Sequence, residues 1–313
     1  MVCFADLTTL RVGGPIRQLV EPATAPELIA AVRAVDAEHH RLVLLGGGAN
    51  TVAPDNGADM VIRSVSSELP TAQTDSPGQL LVTAQAGLAW ADLVAWALAE
   101  GLSGLESLAG IPGTVGAAPI QNIGAYGHEV AEIIESVLVW DRSANCRRRL
   151  NRADLGFGYR TSLLKNCSQS LVVLQVVFRL AVSKMSLPVA YRELAELLEV
   201  PLGQPAATWQ VVQAVLELRR RKGMVVDPTD HDTWSAGSFF TNPILSPEQA
   251  SQLPAAAPRF PMAHTNLLKT AAAWLISNSG ITPGWGLNSL ATTSTKHVLA
   301  LTNRGGAQAS DIM

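Results

Sequence analysis

Cysteine is scarce: Cys3, Cys146 and Cys167 are far apart and odd in number, which fits reduced thiols better than a disulfide framework or a zinc site. Histidine is sparse too. His39 and His40 are adjacent and the other four are scattered, so no metal-ligand spacing appears. A strong charge of either sign is also lacking, and a net charge of -3 with a pI near 6.1 argues against a general nucleic-acid binder. The short basic runs Arg147 to Arg149 and Arg219 to Lys222 read as solvated faces. No long apolar run is present, because the most helix-like window, 88 to 102, is broken by Asp92 and Glu100 and falls short of a membrane span. The N-terminal MVCFADLTTLRVGG has an early acid and no basic stretch ahead of an apolar one. No secretory signal is therefore visible, and a cytoplasmic protein is expected.

What is present is a chain of 313 residues with 48% hydrophobic content, long enough for a sizeable core and two or three domains. Its most informative stretch is GIPGTVGAAPIQNIGAYG at 110 to 127, with five glycines, two prolines and no charged side chain. Glycine loses the most conformational entropy on folding, so such a cluster implies positive φ angles or close backbone approach to a ligand, most simply a phosphate-bearing cofactor. The plainer reading is a glycine-rich turn, but Gln121 and Asn122 add amide groups that a turn does not need.

Thr24 and Glu27 form a capping-box pattern with Pro26 in the first turn. Leu28, Ala31, Val32 and Val35 follow at helical spacing, which predicts a helix over 25 to 38. The apolar run 41 to 45 reads as a buried strand leading into GGGAN at 46 to 50. Strand then glycine-rich loop is a phosphate-cradling arrangement, yet it lacks the G-x-G-x-x-G fingerprint and opens no helix, which excludes a Rossmann domain. Further strands are predicted at 59 to 63, 80 to 86, 136 to 141 and 171 to 180. A helix is predicted at 89 to 99, with Leu93, Trp96 and Ala97 on one face. The texture changes after Val182: helices at 191 to 199 and 208 to 222, a loop at 236 to 243, a helix at 269 to 278 and a strand at 297 to 302 suggest a second region beginning near 185. The pattern is α+β.

Taken together, TTLRVGG (8 to 14), LLGGGAN (44 to 50), GIPGTVGAAPIQNIGAYG (110 to 127), FGYR (157 to 160) and AGSFFTNP (236 to 243) resemble the UDP-N-acetylenolpyruvoylglucosamine reductase family. The motifs run in family order over nearly the whole chain, and DHDTWSAGSFFTNP resembles the actinobacterial branch. The resemblance implies a two-part FAD-binding region of the vanillyl-alcohol-oxidase type over 1 to 184, with subdomains of about 1 to 64 and 65 to 184. A substrate domain follows over 185 to 313. It further implies noncovalent FAD, NADPH as hydride donor, and reduction of UDP-N-acetylglucosamine enolpyruvate to UDP-N-acetylmuramate by a monomer in peptidoglycan precursor synthesis.

On the same ground, Gly46, Gly47, Gly48, Ala49 and Asn50 would bind the cofactor, together with Gly110, Gly113, Thr114, Gly116, Ala117, Ala118, Gln121, Asn122 and Gly124. Backbone N–H groups of these two loops can bond a pyrophosphate without adding positive charge. Hydride delivery to the enolpyruvyl methylene leaves negative charge that spreads into the carboxylate. Arg160 matches the family arginine that stabilises this charge, and Ser238 matches the serine that protonates the adjacent carbon. Without the resemblance these would read as a surface arginine and a loop serine. Tyr191 matches a tyrosine that closes over the substrate diphosphate, and Lys222, Asn242, Tyr126 and Tyr159 match substrate-contacting or site-lining positions. Tyr126 and Tyr159 read equally well as buried structural tyrosines.

Three departures stand out. The family pattern runs on past HVLALTNRGGA to a strand with L-E-P-E, whose glutamate helps protonate or stabilise the enolate. No counterpart is found by Met313, Asp311 aligns with a helix-start acid, and impaired turnover and stability are expected. Ala49 replaces a common serine, and Ala117 and Ala118 replace small hydroxyl residues. The alternatives are an FAD- or nucleotide-binding protein without turnover, and a flavin oxidase of other specificity. The GSFFTNP and FGYR matches and the lack of a covalent flavin attachment motif weigh against the oxidase.

Overall fold

The capping box at Thr24 forms in the computed structural model, which describes residues 1–38, 41–262, 265–286 and 289–313. Thr24 Oγ1 accepts from the Glu27 N–H at 3.4 Å and Glu27 Oε2 accepts from the Thr24 N–H at 3.2 Å, opening the helix Ala25–Ala37. His39 and His40 lie outside the described residues. The helix buries Leu28, Ile29, Val32 and Val35 against Leu42, Ile62, Trp140, Val172 and Leu174. Beside it runs a parallel sheet in the order Ile16–Val20, Ala58–Arg63, Leu44–Leu45. The strand expected over 41 to 45 shrinks to Leu44–Leu45, with Leu42 turned into the core under the helix.

An antiparallel sheet follows, in the order Cys146–Asn151, Ile134–Asp141, Leu171–Val182, Gln79–Gln85, Thr71–Ser76. Its central strand is buried on both faces, Val172 and Leu174 toward the first helix and Val176, Phe178 and Leu180 toward the opposite core. On that second face Trp90 opens the helix Trp90–Ala99 and packs edge-on to Phe178 at 6.0 Å, donating its indole N–H to the Leu108 carbonyl at 3.0 Å. The four predicted strands are present. Two edge strands, Thr71–Ser76 and Cys146–Asn151, escaped prediction because neither presents an apolar alternation. Arg147 to Arg149 line the second edge, exposed, where cationic side chains discourage further strand pairing.

Packing divides the chain into two units, residues 1–3, 15–48 and 57–220 in one and 4–14, 49–56 and 221–313 in the other. The texture change near 185 does not mark that division. The helices Arg192–Leu197 and Thr208–Arg221 bury Leu194, Val211, Val215 and Leu218 in the same core as Trp90, since their apolar stripes find their partners there.

In the second unit the strands run Ser235–Ser238, Ala300–Asn303, Ala291–Thr293, so part of the segment expected as a loop at 236 to 243 is sheet. The predicted helix near 269 to 278 is Ala272–Asn278. TTLRVGG is fastened to this sheet. Thr9 Oγ1 donates to the Ser235 carbonyl at 2.6 Å, and buried Asn303 donates to the carbonyls of Leu10 and Arg11 at 3.2 and 3.0 Å. The Arg11 guanidinium lies 3.8 Å from the centre of the Trp234 ring. Asp311 accepts from the Gln308 N–H at 2.8 Å, the helix-start role its position suggested. No helix among the described residues is long and apolar enough to cross a membrane.

Candidate active site

In the first unit the two glycine-rich loops touch through backbone. A Cβ placed on Gly47 would stand 2.6 Å from the Cα of Gly113, and one on Gly46 would stand 3.2 Å from Thr114 Oγ1 and 3.3 Å from the Ala117 Cβ. Gly48 and Gly113 also adopt positive φ, 64° and 130°, which only glycine takes without strain. The loops differ in which donors they leave open. The N–H groups of Val115, Gly116, Ala117 and Ala118 are taken by the carbonyls of Leu88, Ala86, Thr114 and Val115 at 2.9, 2.8, 3.1 and 3.2 Å. Among the described residues, the N–H groups of Gly46, Gly47, Gly48, Gly113 and Thr114 meet no acceptor. The expectation that both loops offer donors along their whole length therefore fails at 115 to 118, because that turn spends its own N–H groups on a 3-10 helix and two strand-like bonds.

Beside these donors opens a cavity of about 240 Å³ lined by Leu28, Leu42, Leu45, Gly46, Thr114 and Gly116 among others. Apolar walls with a rim of unpaired backbone donors fit a flat ring system joined to phosphate, which is the chemistry of FAD. The volume is below the usual range of about 300–1,000 Å³ for ligand sites, so it has room for only one portion of such a molecule. Gly110 sits apart from this cavity. Its φ is 71°, and a Cβ there would stand 2.7 Å from Leu216 Cδ2, so it serves helix packing.

Arg160 is held by main-chain oxygens. Its Nη1 donates to the Asn122 carbonyl at 2.9 Å and its Nη2 to the Gly124 carbonyl at 2.5 Å, while Glu129 Oε1 stands 3.7 Å away. A Cβ on Gly124 would come within 2.7 Å of Arg160 Nη1, so glycine there makes room for the guanidinium. Asn122, expected as a cofactor ligand, is instead buried with its amide committed to the fold. Nδ2 donates to Glu129 Oε2 at 2.7 Å and to the Gly158 carbonyl at 3.0 Å, and Oδ1 accepts from the Ala131 N–H at 3.1 Å. Gln121 beside it is half-buried.

Tyr126 and Tyr191 meet edge to face with ring centres 5.4 Å apart, and the Arg160 guanidinium lies 5.3 Å from the Tyr159 ring. Burial pushes the Tyr126 phenol up to about 12, against the pull of Arg219, so it remains a hydrogen-bond donor at neutral pH. Arg219 is the residue that sequence reasoning missed. Placed in a solvated run, it has its Nε out of reach of solvent, and burial lowers its pKa while Tyr126 raises it. The signal was the helical period: 211, 215 and 219 are four apart, so Arg219 continues the buried stripe of Val211 and Val215, whereas Arg220 and Arg221 point outward.

In the second unit Ser238 ends the strand Ser235–Ser238 at a register shift against Ala300–Asn303 and is exposed. Gly237 before it has φ 78°. Among the described residues no group bonds the Ser238 hydroxyl. Asn242 Oδ1 accepts the first N–H of the helix Ala272–Asn278 at 3.0 Å, a capping duty. Lys222 is half-buried near His297, whose pKa is lowered by burial first and by the Lys222 charge second. In the same unit the Ala49 carbonyl accepts from Thr9 Oγ1 at 3.5 Å, and Asn50 is exposed.

An antiparallel sheet and a helix-backed parallel sheet, with paired glycine loops that leave backbone donors open, define a flavin-binding class of fold. Residues 16–148 match the family model described as FAD binding domain, and residues 227–313 match that of the UDP-N-acetylenolpyruvoylglucosamine reductase C-terminal domain. The α+β class expected from the sequence, an FAD-binding region of the vanillyl-alcohol-oxidase type followed by a C-terminal α+β domain, is the one found. UDP-N-acetylenolpyruvoylglucosamine reductase of Cutibacterium acnes is 47% identical over 312 residues, 99% of this chain and 82% of the relative. That of Thermobifida fusca is 46% identical over 322 residues, 100% of this chain and 90% of the relative. The crystal structure of the Thermus caldophilus reductase superposes with a TM-score of 0.65 at 28% identity, covering 99% of this chain and 90% of that one. The chain belongs to the UDP-N-acetylenolpyruvoylglucosamine reductase family.

Proposed function

We propose that this chain is an NADPH-dependent flavoprotein reductase that converts UDP-N-acetylglucosamine enolpyruvate to UDP-N-acetylmuramate in peptidoglycan precursor synthesis. It would work in the cytoplasm and as a monomer. The observation that carries the reading, beside family membership, is Arg160: a fixed cation held by the Asn122 and Gly124 carbonyls on the loop that continues from the glycine motif.

FAD, when bound, supplies the relay of hydride from NADPH to the substrate. The open N–H groups of Gly46 to Gly48, Gly113 and Thr114 would hold its phosphates, with the backbone at Ala49 and Asn50 continuing that loop. We assign Arg160 to the negative charge that develops on the enolpyruvyl carboxylate. Each of its terminal nitrogens spends one N–H on a carbonyl and keeps another for an anion. Ser238 would give its proton to the carbon next to the carboxylate; its exposed hydroxyl, unbonded among the described residues, supports that role. Tyr126 and Tyr159, from the FAD-binding region of 1 to 184, and Tyr191, Lys222 and Asn242, from the substrate region that begins near 185, would bind substrate.

The test is anaerobic flavin absorbance on the purified chain during addition of NADPH and then of UDP-N-acetylglucosamine enolpyruvate. Bleaching followed by substrate-driven return of the oxidised spectrum supports the assignment. Bleaching without return points to a flavin-binding protein without turnover, and a colourless protein overturns the cofactor assignment.

A further inference from the structure

His128 takes no part in the chemistry above, yet both of its ring nitrogens face acceptors. Nδ1 lies 2.8 Å from Glu132 Oε2 and Nε2 lies 2.9 Å from the Pro188 carbonyl oxygen. A carbonyl oxygen and an ionised carboxylate can only accept, and a neutral imidazole donates from one nitrogen alone, so a neutral ring would leave acceptor facing acceptor. The imidazolium satisfies both. Glu132 cannot easily swing away, because its other oxygen accepts the Glu129 N–H at 2.8 Å. The ring is largely covered, its side chain 12% exposed, which strengthens these bonds relative to solvent.

The far side of the contact is anchored as well. Glu106, buried, accepts from the N–H groups of Gly104 at 2.6 Å and Leu187 at 2.7 Å, fixing the residue before Pro188 and bringing a second negative charge toward the ring. Three consecutive residues then meet one segment. The Tyr126 ring packs on the Tyr191 ring at 5.4 Å, a Cβ on Gly127 would stand 2.7 Å from the Ala190 Cβ, and His128 bonds Pro188.

We propose that His128 is an imidazolium clamp that holds the segment Pro188 to Tyr191 against Tyr126, so that substrate binding weakens as the ring loses its proton. The link to substrate rests on the substrate-binding role proposed for Tyr126 and Tyr191. The charged groups facing the ring are Glu132 on its own turn and Glu106 from the neighbouring one, with Arg152 acting on Glu132. The hydrogen bond to Glu132 raises the ring's pKa most, burial lowers it, and the Pro188 carbonyl and the charges of Glu132 and Glu106 raise it further, for a net rise. A raised pKa means that the clamp is fully closed below the ordinary histidine value and opens as pH climbs through the raised one. Each unit of that rise corresponds to about a tenfold change in the closed-to-open ratio.

The experiment uses the full FAD-loaded chain labelled in histidine and tyrosine; with three tyrosines in the sequence, the ring signals are few. The expected result is a His128 ring protonated on both nitrogens at neutral pH, with a Tyr126 to Tyr191 contact that fades over the same titration. KM for UDP-N-acetylglucosamine enolpyruvate should rise across that range while kcat changes little. His128→Gln should fix the open state and abolish the pH dependence of KM. Glu132→Gln, which removes the charge and leaves one accepting oxygen in place of two, should shift the ring titration downward, and it decides the matter if His128→Gln does not fold. A His128 ring carrying one proton at pH 6, a tyrosine contact indifferent to its titration, or an unchanged KM profile in His128→Gln each overturn the clamp. A chain without turnover would overturn the reductase assignment alone. The ring titration and the tyrosine contact would still decide the clamp.

Discussion

Replacing Asn122 with alanine tests the centre of the site. Its side chain makes one hydrogen bond to a carboxylate, Glu129, and two to neutral groups, the Gly158 carbonyl and the Ala131 N–H. A bond to a charged group contributes about 1.5–3 kcal/mol and a neutral one about 0.5–1.5 kcal/mol, and buried partners left unsatisfied put such losses at the upper end. Asn122 also has φ 50°, a region that asparagine tolerates and that costs other non-glycine residues roughly 1–2 kcal/mol. Allowing for relaxation, Asn122→Ala should destabilise the protein by about 3–5 kcal/mol. Asn122→Gly removes the same bonds without the φ penalty and should be about 1 kcal/mol less damaging. Urea unfolding of the full FAD-loaded chain, followed by tryptophan fluorescence, gives both differences, and hydrogen exchange at the Ala131 amide reports the local loss. An alanine variant within about 1 kcal/mol of the parent would refute the reasoning, as would a glycine variant no better than alanine. Because the Asn122 carbonyl also receives Arg160 Nη1 at 2.9 Å, the folded fraction should also show slowed flavin reoxidation by substrate.

Ser238→Ala should leave NADPH-driven flavin bleaching intact and slow substrate-driven return by about a hundredfold or more in anaerobic stopped flow; equal slowing of both halves would sink the assignment. Arg160→Lys, with one ammonium in place of a fork, should slow the same half-reaction by roughly ten- to a hundredfold, and an unchanged rate would count against it. Gly47→Ala drives a methyl to 2.6 Å from the Gly113 Cα. Overpacking of about 1–3 kcal/mol should appear as weaker FAD affinity in a fluorescence titration, and an unaltered Kd would show that the loops tolerate separation. For Asp232, burial pushes the carboxyl up, but hydrogen bonds from Thr295 and Arg304 outweigh it and hold it below its ordinary value. A depressed carboxyl stabilises above its unfolded pKa of about 3.9, and that contribution fades as pH falls through the folded value. Asp232→Asn should therefore flatten the acid side of a Tm-against-pH curve, and a parallel curve would exclude the role.

Chemistry that is local in sequence was the most legible. The Thr24 capping box, the helix Trp90–Ala99 and the strand Leu171–Val182 each carry their signal within a few residues, and each formed near the expected bounds. Thr71–Ser76 and Cys146–Asn151 are strands only because Gln79–Gln85 and Ile134–Asp141 lie beside them, and edge position removes the apolar alternation that would announce them. The site shows the same split. The glycine motif located the loops, but which N–H groups stay open depends on the carbonyls of Ala86 and Leu88, about 30 residues away. Asn122 was expected as a ligand because the family resemblance places it at the cofactor and a plain turn does not need its amide, and the partners that consume it, Glu129 and Gly158, are identifiable only in three dimensions.

Six non-glycine residues among those described have positive φ, and three of them, Asn122, Tyr126 and Arg160 at 50°, 51° and 56°, belong to this one region. Such backbone persists only where surrounding contacts over-determine it. Here each contact depends on the strained turn: the Asn122 amide bonds on three sides, Tyr126 meets Tyr191 edge to face, and Arg160 reaches two carbonyls of the loop that Asn122 braces. The product of that strain is a cation held in a fixed position, so that, on the role proposed for Arg160, little reorganisation would be needed when negative charge develops. Carbonyl oxygens at 2.9 and 2.5 Å fix the guanidinium without cancelling its charge, and Glu129 at 3.7 Å neutralises it less than a direct ion pair would. Lysine at the same place has one nitrogen to divide between two carbonyls and the anion, which is why the geometry of the loop, and not charge alone, calls for arginine.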